Sequence, residues 1–305
     1  MPCAESHMVE WHQFPPGQEH RQTMDQPASA QDKRYRIRYD QSKLQDFVEC
    51  ARRFQLRHLL DQDWPAPAAE PLADAERAAD LGRRFHLLME RHWRGLPIQN
   101  VEPALAAWWD AFQNTSLELP GTVRRPEITV AAMIEGQRMT ATFDLLAFEP
   151  GGEAVIVDWK TSRRPPRYVL DRRLQTIIYP LLLVESAQRS LGHTIAPEQV
   201  TFIYWFAGEP EPGSTEVFRY SAARQAEDHR FVGAVLRRLF SMEVDAWPLT
   251  TNERMCRWCQ YRSLCGRGRD AAALGEENAE VWPDLDELRG IMAEAEAAAA
   301  EDFVL

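Results

Sequence analysis

Two hydrophobic spacings divide this chain. In the first, apolar residues recur every three or four positions, as on one face of a helix. Leu44, Phe47, Val48 and Leu56 give such a face to Asp40–Leu60, and Ser42 with Gln45 supplies a capping box near its start. Leu81, Phe85, Leu88 and His92 do the same for Ala73–Trp93, and Pro103–Phe112 reads as a third helix carrying Trp108 and Trp109. In the second, short runs of β-branched and aromatic residues are bounded by turn residues. Ile128–Ile134, Met139–Phe148 and Ala154–Lys160 read as three strands, joined by turns at Glu135–Gly136 and Pro150–Gly152. Asp171–Ser190 then reads as a crossover helix that Pro180 would kink. Val200–Phe206 and Glu216–Tyr220 return to strand, and Ala222–Phe240 is helical. Strands interleaved with helices predict an α/β fold: a central mixed sheet flanked by helices, with a helical N-terminal lobe.

The pattern carries a chemical anomaly. Ala154–Val157 is a continuous apolar run, as in a strand buried on both faces, yet it runs into Asp158-Trp159-Lys160. A sheet interior is a costly place for charge unless the charge is paired or bound to a metal. Asp158 and Lys160 are two residues apart, so on a strand they share a face. Asp144, on the preceding strand, can lie beside them. Two carboxylates and an ammonium at one sheet edge suit a divalent cation with a charge-stabilising lysine, as phosphodiester hydrolysis needs. Glu127 reads either as a further acid at this site or as a charge where a strand begins, the second being preferred.

His86 lies on the upstream helix, four residues after Gly82. Gln175 and Tyr179 share one face of the downstream helix at i and i+4. The order Gly-x3-His, Asp, Asp-x-Lys, Gln-x3-Tyr resembles the PD-(D/E)XK nuclease superfamily, specifically its RecB-like branch, from about Tyr39 to Gly266. The resemblance implies a restriction-endonuclease-like core. In it His86, Asp144 and Asp158 hold Mg2+ or Mn2+ with the Trp159 carbonyl, Lys160 assists catalysis, and Gln175 and Tyr179 contact DNA. It implies hydrolysis of DNA from single-stranded ends. The sequence departs from the branch pattern around the first acid: Ala141 and Thr142 stand where glycine is usual, and Leu145–Leu146–Ala147 follow where an arginine and a second acid are common.

Four cysteines have informative positions. Cys256, Cys259 and Cys265 form C-x2-C-x5-C, and Cys50 lies far upstream. One cysteine before the core and three after it resemble the iron–sulfur members of the RecB-like group, which include AddB-type helicase–nuclease subunits and CRISPR adaptation nucleases. By that resemblance the four thiolates hold a 4Fe–4S cluster. Four thiolates also suit tetrahedral zinc. Cys3 reads as an unremarkable exposed thiol.

Charge alters the picture only when it is located. The 305 residues carry a net charge of −11. Of the 46 acids and 35 bases, eleven acids and one base lie between Asp270 and Leu305, which leaves the rest of the chain at −1. Within that near-neutral body Lys160, Arg163, Arg164, Arg167, Arg172 and Arg173 crowd next to the candidate site, with Asp171 opposing. A basic patch beside a metal site suits a polyanionic substrate, and Arg163 and Arg164 are the expected DNA contacts. The organisation expected is a disordered arm over 1–34, a nuclease domain over 35–269 that includes the cysteines, and an acidic helical tail over 270–305. The lack of an export signal and of an apolar run of ~20 residues points to a cytoplasmic protein without a membrane partner. The partners expected are DNA and a helicase or repair protein. The rival readings are a non-catalytic DNA-binding iron–sulfur subunit and a zinc-stabilised interaction protein.

Overall fold

A computed structural model describes residues 30–63, 70–208, 210–243, 247–256 and 259–268. Five strands form one sheet in sequence order: β1 (Val123–Ile134), β2 (Gln137–Phe148), β3 (Ala154–Lys160), β4 (Val200–Phe206) and β5 (Ser214–Arg219). All neighbours are antiparallel except β3 and β4, which are parallel. That parallel pair requires a crossover, supplied by α7 (Leu174–Leu191). The sheet is therefore mixed, with helices on both faces, as the hydrophobic spacing predicts.

The two faces are sorted by alternation along the strands. Ile156, Phe202, Tyr204 and Phe206 point into the layer formed by α7, α8 (Ala222–Ser241) and α2 (Gln41–Glu49). Val155, Val157, Trp159, Ile203 and Trp205 point the other way, against Phe85 and Met89 of α4 (Glu70–Trp93) and Phe112 of α5 (Ala106–Gln113). Both faces of β3 are thus covered, which explains its unbroken apolar run. The second layer is rich in aromatic contacts: the rings of Phe85 and Trp205 stack at 5.7 Å, and Phe112 meets Trp159 edge-on at 5.6 Å. Trp108 joins this packing against Phe85.

Several expected boundaries move for identifiable reasons. The helix expected over Asp40–Leu60 is broken at Cys50, whose backbone is extended (φ −163°, ψ 105°), into α2 and α3 (Ala51–Phe54) with a wider turn over Gln55–Leu59. Asp40, rather than Ser42, caps α2, accepting from the N–H of Lys43 at 2.9 Å. The first strand starts at Val123, and Pro126 is tolerated because β1 is an edge strand. The helix expected from Asp171 begins at Leu174, after the separate turn α6 (Arg167–Leu170).

A further helix, α1 (Ala30–Arg36), falls partly within the segment expected to be disordered. Its Arg34 is buried and donates to the carbonyls of Leu239, Phe240 and Met242, satisfying the C-terminal end of α8. The remainder of the expected arm, with Cys3, and the expected acidic tail lie outside the described residues. Among the described residues, no helix is long and apolar enough to cross a membrane.

Candidate active site

The ladder between β1 and β2 is interrupted at one position. Pro126 pairs with Leu145 and Ile128 with Phe143, but the residues between them, Glu127 and Asp144, do not pair. Glu127 has φ 51°, in the left-handed region that a non-glycine residue adopts only under constraint. The alternation of β2 slips here as well, because Phe143 and Leu146, three residues apart, both face the α7 layer. The disturbed ladder frees the Glu127 and Asp144 side chains to project toward α4.

The ladder between β2 and β3 ends nearby. Its last pair is Leu145 with Val157, beyond which the strands part. The N–H of Trp159 consequently donates to Oδ2 of Asp144 at 2.8 Å. Oδ1 of Asp144 lies 3.4 Å from Nδ1 of His86, which α4 brings over the strand ends. Gly82, one turn earlier, permits this approach: a side chain there would press on Thr161, with a Cβ only 3.2 Å from its Oγ1. That contact gives Gly-x3-His its physical meaning.

His86, Glu127 and Asp144 each offer a ligand atom, and these atoms all lie within 4.8 Å of one another, the only such group of three or more among the described residues. The group differs from the expected set of His86, Asp144 and Asp158, because Glu127 stands in it and Asp158 is outside it. Burial first, then the charge of Asp144, pushes the Glu127 carboxyl up to about 7. Burial opposes a charge on His86, but its bond to Asp144 and the nearby carboxylates prevail and raise it above the usual imidazole range. Crowded acids whose charge the protein leaves incompletely balanced fit a divalent cation with oxygen and imidazole donors. A cavity of about 580 Å3, lined in part by Gly82, Arg83, Leu87 and Glu90, opens beside the group.

Asp158 is buried, with 2% of its surface exposed. Lys160 Nζ lies 2.7 Å from its Oδ2, and Gln175 donates to its Oδ1. Burial pushes the Asp158 carboxyl up while Lys160 pulls it down, and burial prevails. Lys160 also sits over the Tyr204 ring, 5.7 Å from its centre. The shared face of Asp158 and Lys160 is therefore as the two-residue spacing predicts.

Gln175 and Tyr179, the expected DNA contacts, lie on α7 behind Asp158. Both are buried. Gln175 holds Asp158, and Tyr179 packs against Phe143 and Phe202 at 5.1 and 5.8 Å. Burial also lifts the Tyr179 hydroxyl above its usual range. These two side chains support the site from behind. Of the expected basic contacts, Arg163 is exposed, whereas Arg164 is tied to Glu211 at 2.8 Å and to Glu216 at 3.4 Å.

The four cysteines lie near one another. Cys50 is buried at the break before α3; Cys256, Cys259 and Cys265 are half-buried. The four are near enough that burial and one another's charge raise the thiols of Cys259 and Cys265. Positive charge adjoins them: Nη1 of Arg267 is 3.0 Å from Sγ of Cys256, and Arg53 acts on Cys259. Tetrahedral zinc, with Zn–S about 2.3 Å, needs thiols about 4 Å apart. Four thiolates are donors for zinc and for a polynuclear thiolate cluster alike.

Comparison with known proteins gives a family-level match. A model of the PD-(D/E)XK nuclease superfamily matches residues 40–266. No curated protein matches the chain. Among solved structures, a protein from Eubacterium rectale described as a "putative exonuclease" is similar at 11% identity, with a TM-score of 0.42, over 83% of this chain and 96% of that one. A protein called SSO0001 is similar at 13% identity, with a TM-score of 0.40, over 77% of this chain and 93% of that one.

Proposed function

The chain belongs to the PD-(D/E)XK nuclease superfamily, and from that premise we propose that it is a metal-dependent deoxyribonuclease acting as an exonuclease on single-stranded ends in DNA repair or recombination. The observation that carries this reading is the convergence of His86, Glu127 and Asp144 beside the Asp158–Lys160 pair. His86, Glu127 and Asp144 would hold Mg2+ or Mn2+, with Asp158 on the adjoining strand as a further oxygen donor. A bound cation of this kind polarises a phosphoryl oxygen and makes water a better nucleophile.

The protein's own groups account for the rest. The Trp159 N–H fixes one oxygen of Asp144 and leaves the other toward His86. Gln175 orients Asp158 from the core side. Lys160, partly exposed and held by Asp158, is positioned to offset charge that builds on the phosphate or leaving oxygen. Cys50, Cys256, Cys259 and Cys265 would hold a 4Fe–4S cluster that ties the start of the domain to its end. A helicase or repair partner, of the kind associated with the proteins this sequence resembles, would deliver the strand end.

The test is cleavage of end-labelled single- and double-stranded DNA with Mg2+ or Mn2+ varied. Asp158→Ala and Lys160→Ala should each lower the rate by at least about two orders of magnitude, as loss of a charge-stabilising group typically does, with the circular dichroism spectrum unchanged. Wild-type rates in both variants would overturn the assignment.

A further inference from the structure

The segment that follows Lys160 presents an exposed aromatic ring on a fixed base. Tyr168, on α6, is 62% exposed. Most of this tyrosine is open to solvent, yet its surroundings are anchored to neighbouring strands. Pro165 is buried. Arg167 lies over the Phe218 ring at 4.3 Å, pairs with Glu216 at 2.8 Å and donates to the Val217 carbonyl at 2.9 Å. Arg164 is held by Glu211 and Glu216. Gly208 lets the chain after β4 press against the backbone of Ser162 and Arg163, where a Cβ would come within 2.5–2.6 Å.

Strand register locates this platform relative to the candidate site. Asp158 pairs with Tyr204, and Tyr204 with Glu216, so the three stand in one row across the sheet. Neighbouring strands are about 4.8 Å apart, which puts Glu216, the anchor of Arg164 and Arg167, about 10 Å from Asp158. The platform carries Arg163, Arg164, Arg167, Arg172 and Arg173 against Asp171, Glu211 and Glu216, a surplus of positive charge. Arg163 is exposed.

We propose that residues 162–172 form a docking platform for single-stranded DNA, on which Tyr168 stacks against an unpaired base while Arg163 and Arg172 face the backbone phosphates. Every base has a stackable face, so such a platform is tolerant of sequence and demands only that the base be unpaired. In a duplex the bases are already stacked on one another, and Tyr168 has nothing to receive. The proposal rests on the nuclease reading and adds where the single strand is held: on a platform beside the cleavage site, through Tyr168.

Binding of the full-length protein to a fluorescent thymidine oligonucleotide, measured by anisotropy with Ca2+ in place of Mg2+, tests it. Tyr168→Ala should weaken binding roughly ten- to hundredfold, the range seen when one base–aromatic stack is removed. Tyr168→Phe and Tyr168→Trp should stay within about threefold of wild type. Duplex affinity should change little in any of them. Arg163→Ala should weaken binding mainly at low salt and reduce the slope of log affinity against log salt by about 0.7, as one lost contact with a single strand does. Unchanged single-strand binding in Tyr168→Ala, or an equal loss in Tyr168→Phe, overturns the platform. If wild type cleaves DNA and Tyr168→Ala binds as well as wild type, the platform alone fails. If wild type neither binds nor cleaves DNA with any divalent metal, the nuclease reading fails with it.

Discussion

The N–H of Trp159 donates to Oδ2 of Asp144 at 2.8 Å, so a side-chain carboxylate takes up a backbone donor just where β3 loses its neighbour β2. An orphaned N–H at a splayed strand end is costly. Here its satisfaction also aims the other carboxylate oxygen at His86. The parting of the two strands thus presents Asp144 to the candidate metal site, and the bond to Trp159 holds it there.

Glu127 pays for its position with backbone strain. Its φ of 51° and its crowding against Asp144 both disfavour the folded chain in the absence of a cation. Glu127→Gly should relieve both and raise the free energy of unfolding of metal-free protein by about 1 kcal/mol. The same change should reduce metal-dependent cleavage at least about tenfold. Urea unfolding and a cleavage assay on one preparation check the trade. A destabilised variant with full activity would show that Glu127 is structural.

Gly208 should not accept a side chain. A Cβ there would lie 2.5 Å from the carbonyl carbon and oxygen of Ser162 and 2.6 Å from the nitrogen of Arg163, all of them backbone atoms. Gly208→Ala should cost about 1–3 kcal/mol of stability, the usual range for overpacking. It should also weaken single-strand binding, because the displaced loop carries Arg163 and leads to Tyr168. Thermal unfolding measures the first effect and anisotropy the second.

Protein purified without air should be brown and contain iron. Cys50→Ser should lose both colour and iron as fully as Cys256→Ser does, because the proposed cluster would draw ligands from both ends of the domain. Closing a loop of roughly two hundred residues contributes on the order of several kcal/mol, so either variant should unfold at lower denaturant. A colourless protein containing zinc and no iron would overturn the cluster.

Asp228 makes stability pH-dependent. It is buried and pairs with Arg224 at 2.8 Å, and Tyr220 and Glu227 are its other polar neighbours. Burial outweighs Arg224 and pushes its carboxyl up to about 7. A carboxyl that binds its proton more tightly when folded stabilises the fold at low pH, and that contribution is lost as pH rises from about 4 through 7. Asp228→Asn should therefore flatten the decline in unfolding temperature between pH 5 and 8. An identical pH dependence in the variant would exclude Asp228 as its source.

Much of the fold was legible along the chain because it rests on local periodicity. The three strands from Ile128 to Lys160, the helix that carries His86 and the return strand Val200–Phe206 are all marked by hydrophobic spacing alone. The shared face of Asp158 and Lys160 follows from two residues of strand. Tertiary contacts decided the rest. The break at Cys50 was hidden, because residues on either side continue a helical pattern; past the break the N–H of Arg52 donates to the carbonyl of Pro248 at 3.1 Å, a long-range contact that local spacing does not encode. For Gln175 and Tyr179, i, i+4 spacing says that two residues share a face and not which way that face points; in the fold it points inward, onto Asp158 and the core. Glu127 looked like a charge where a strand begins. Its place beside Asp144 depends on the pairing of β1 with β2 and on a single left-handed residue in that ladder, and pairing between strands is a long-range property that no local pattern encodes.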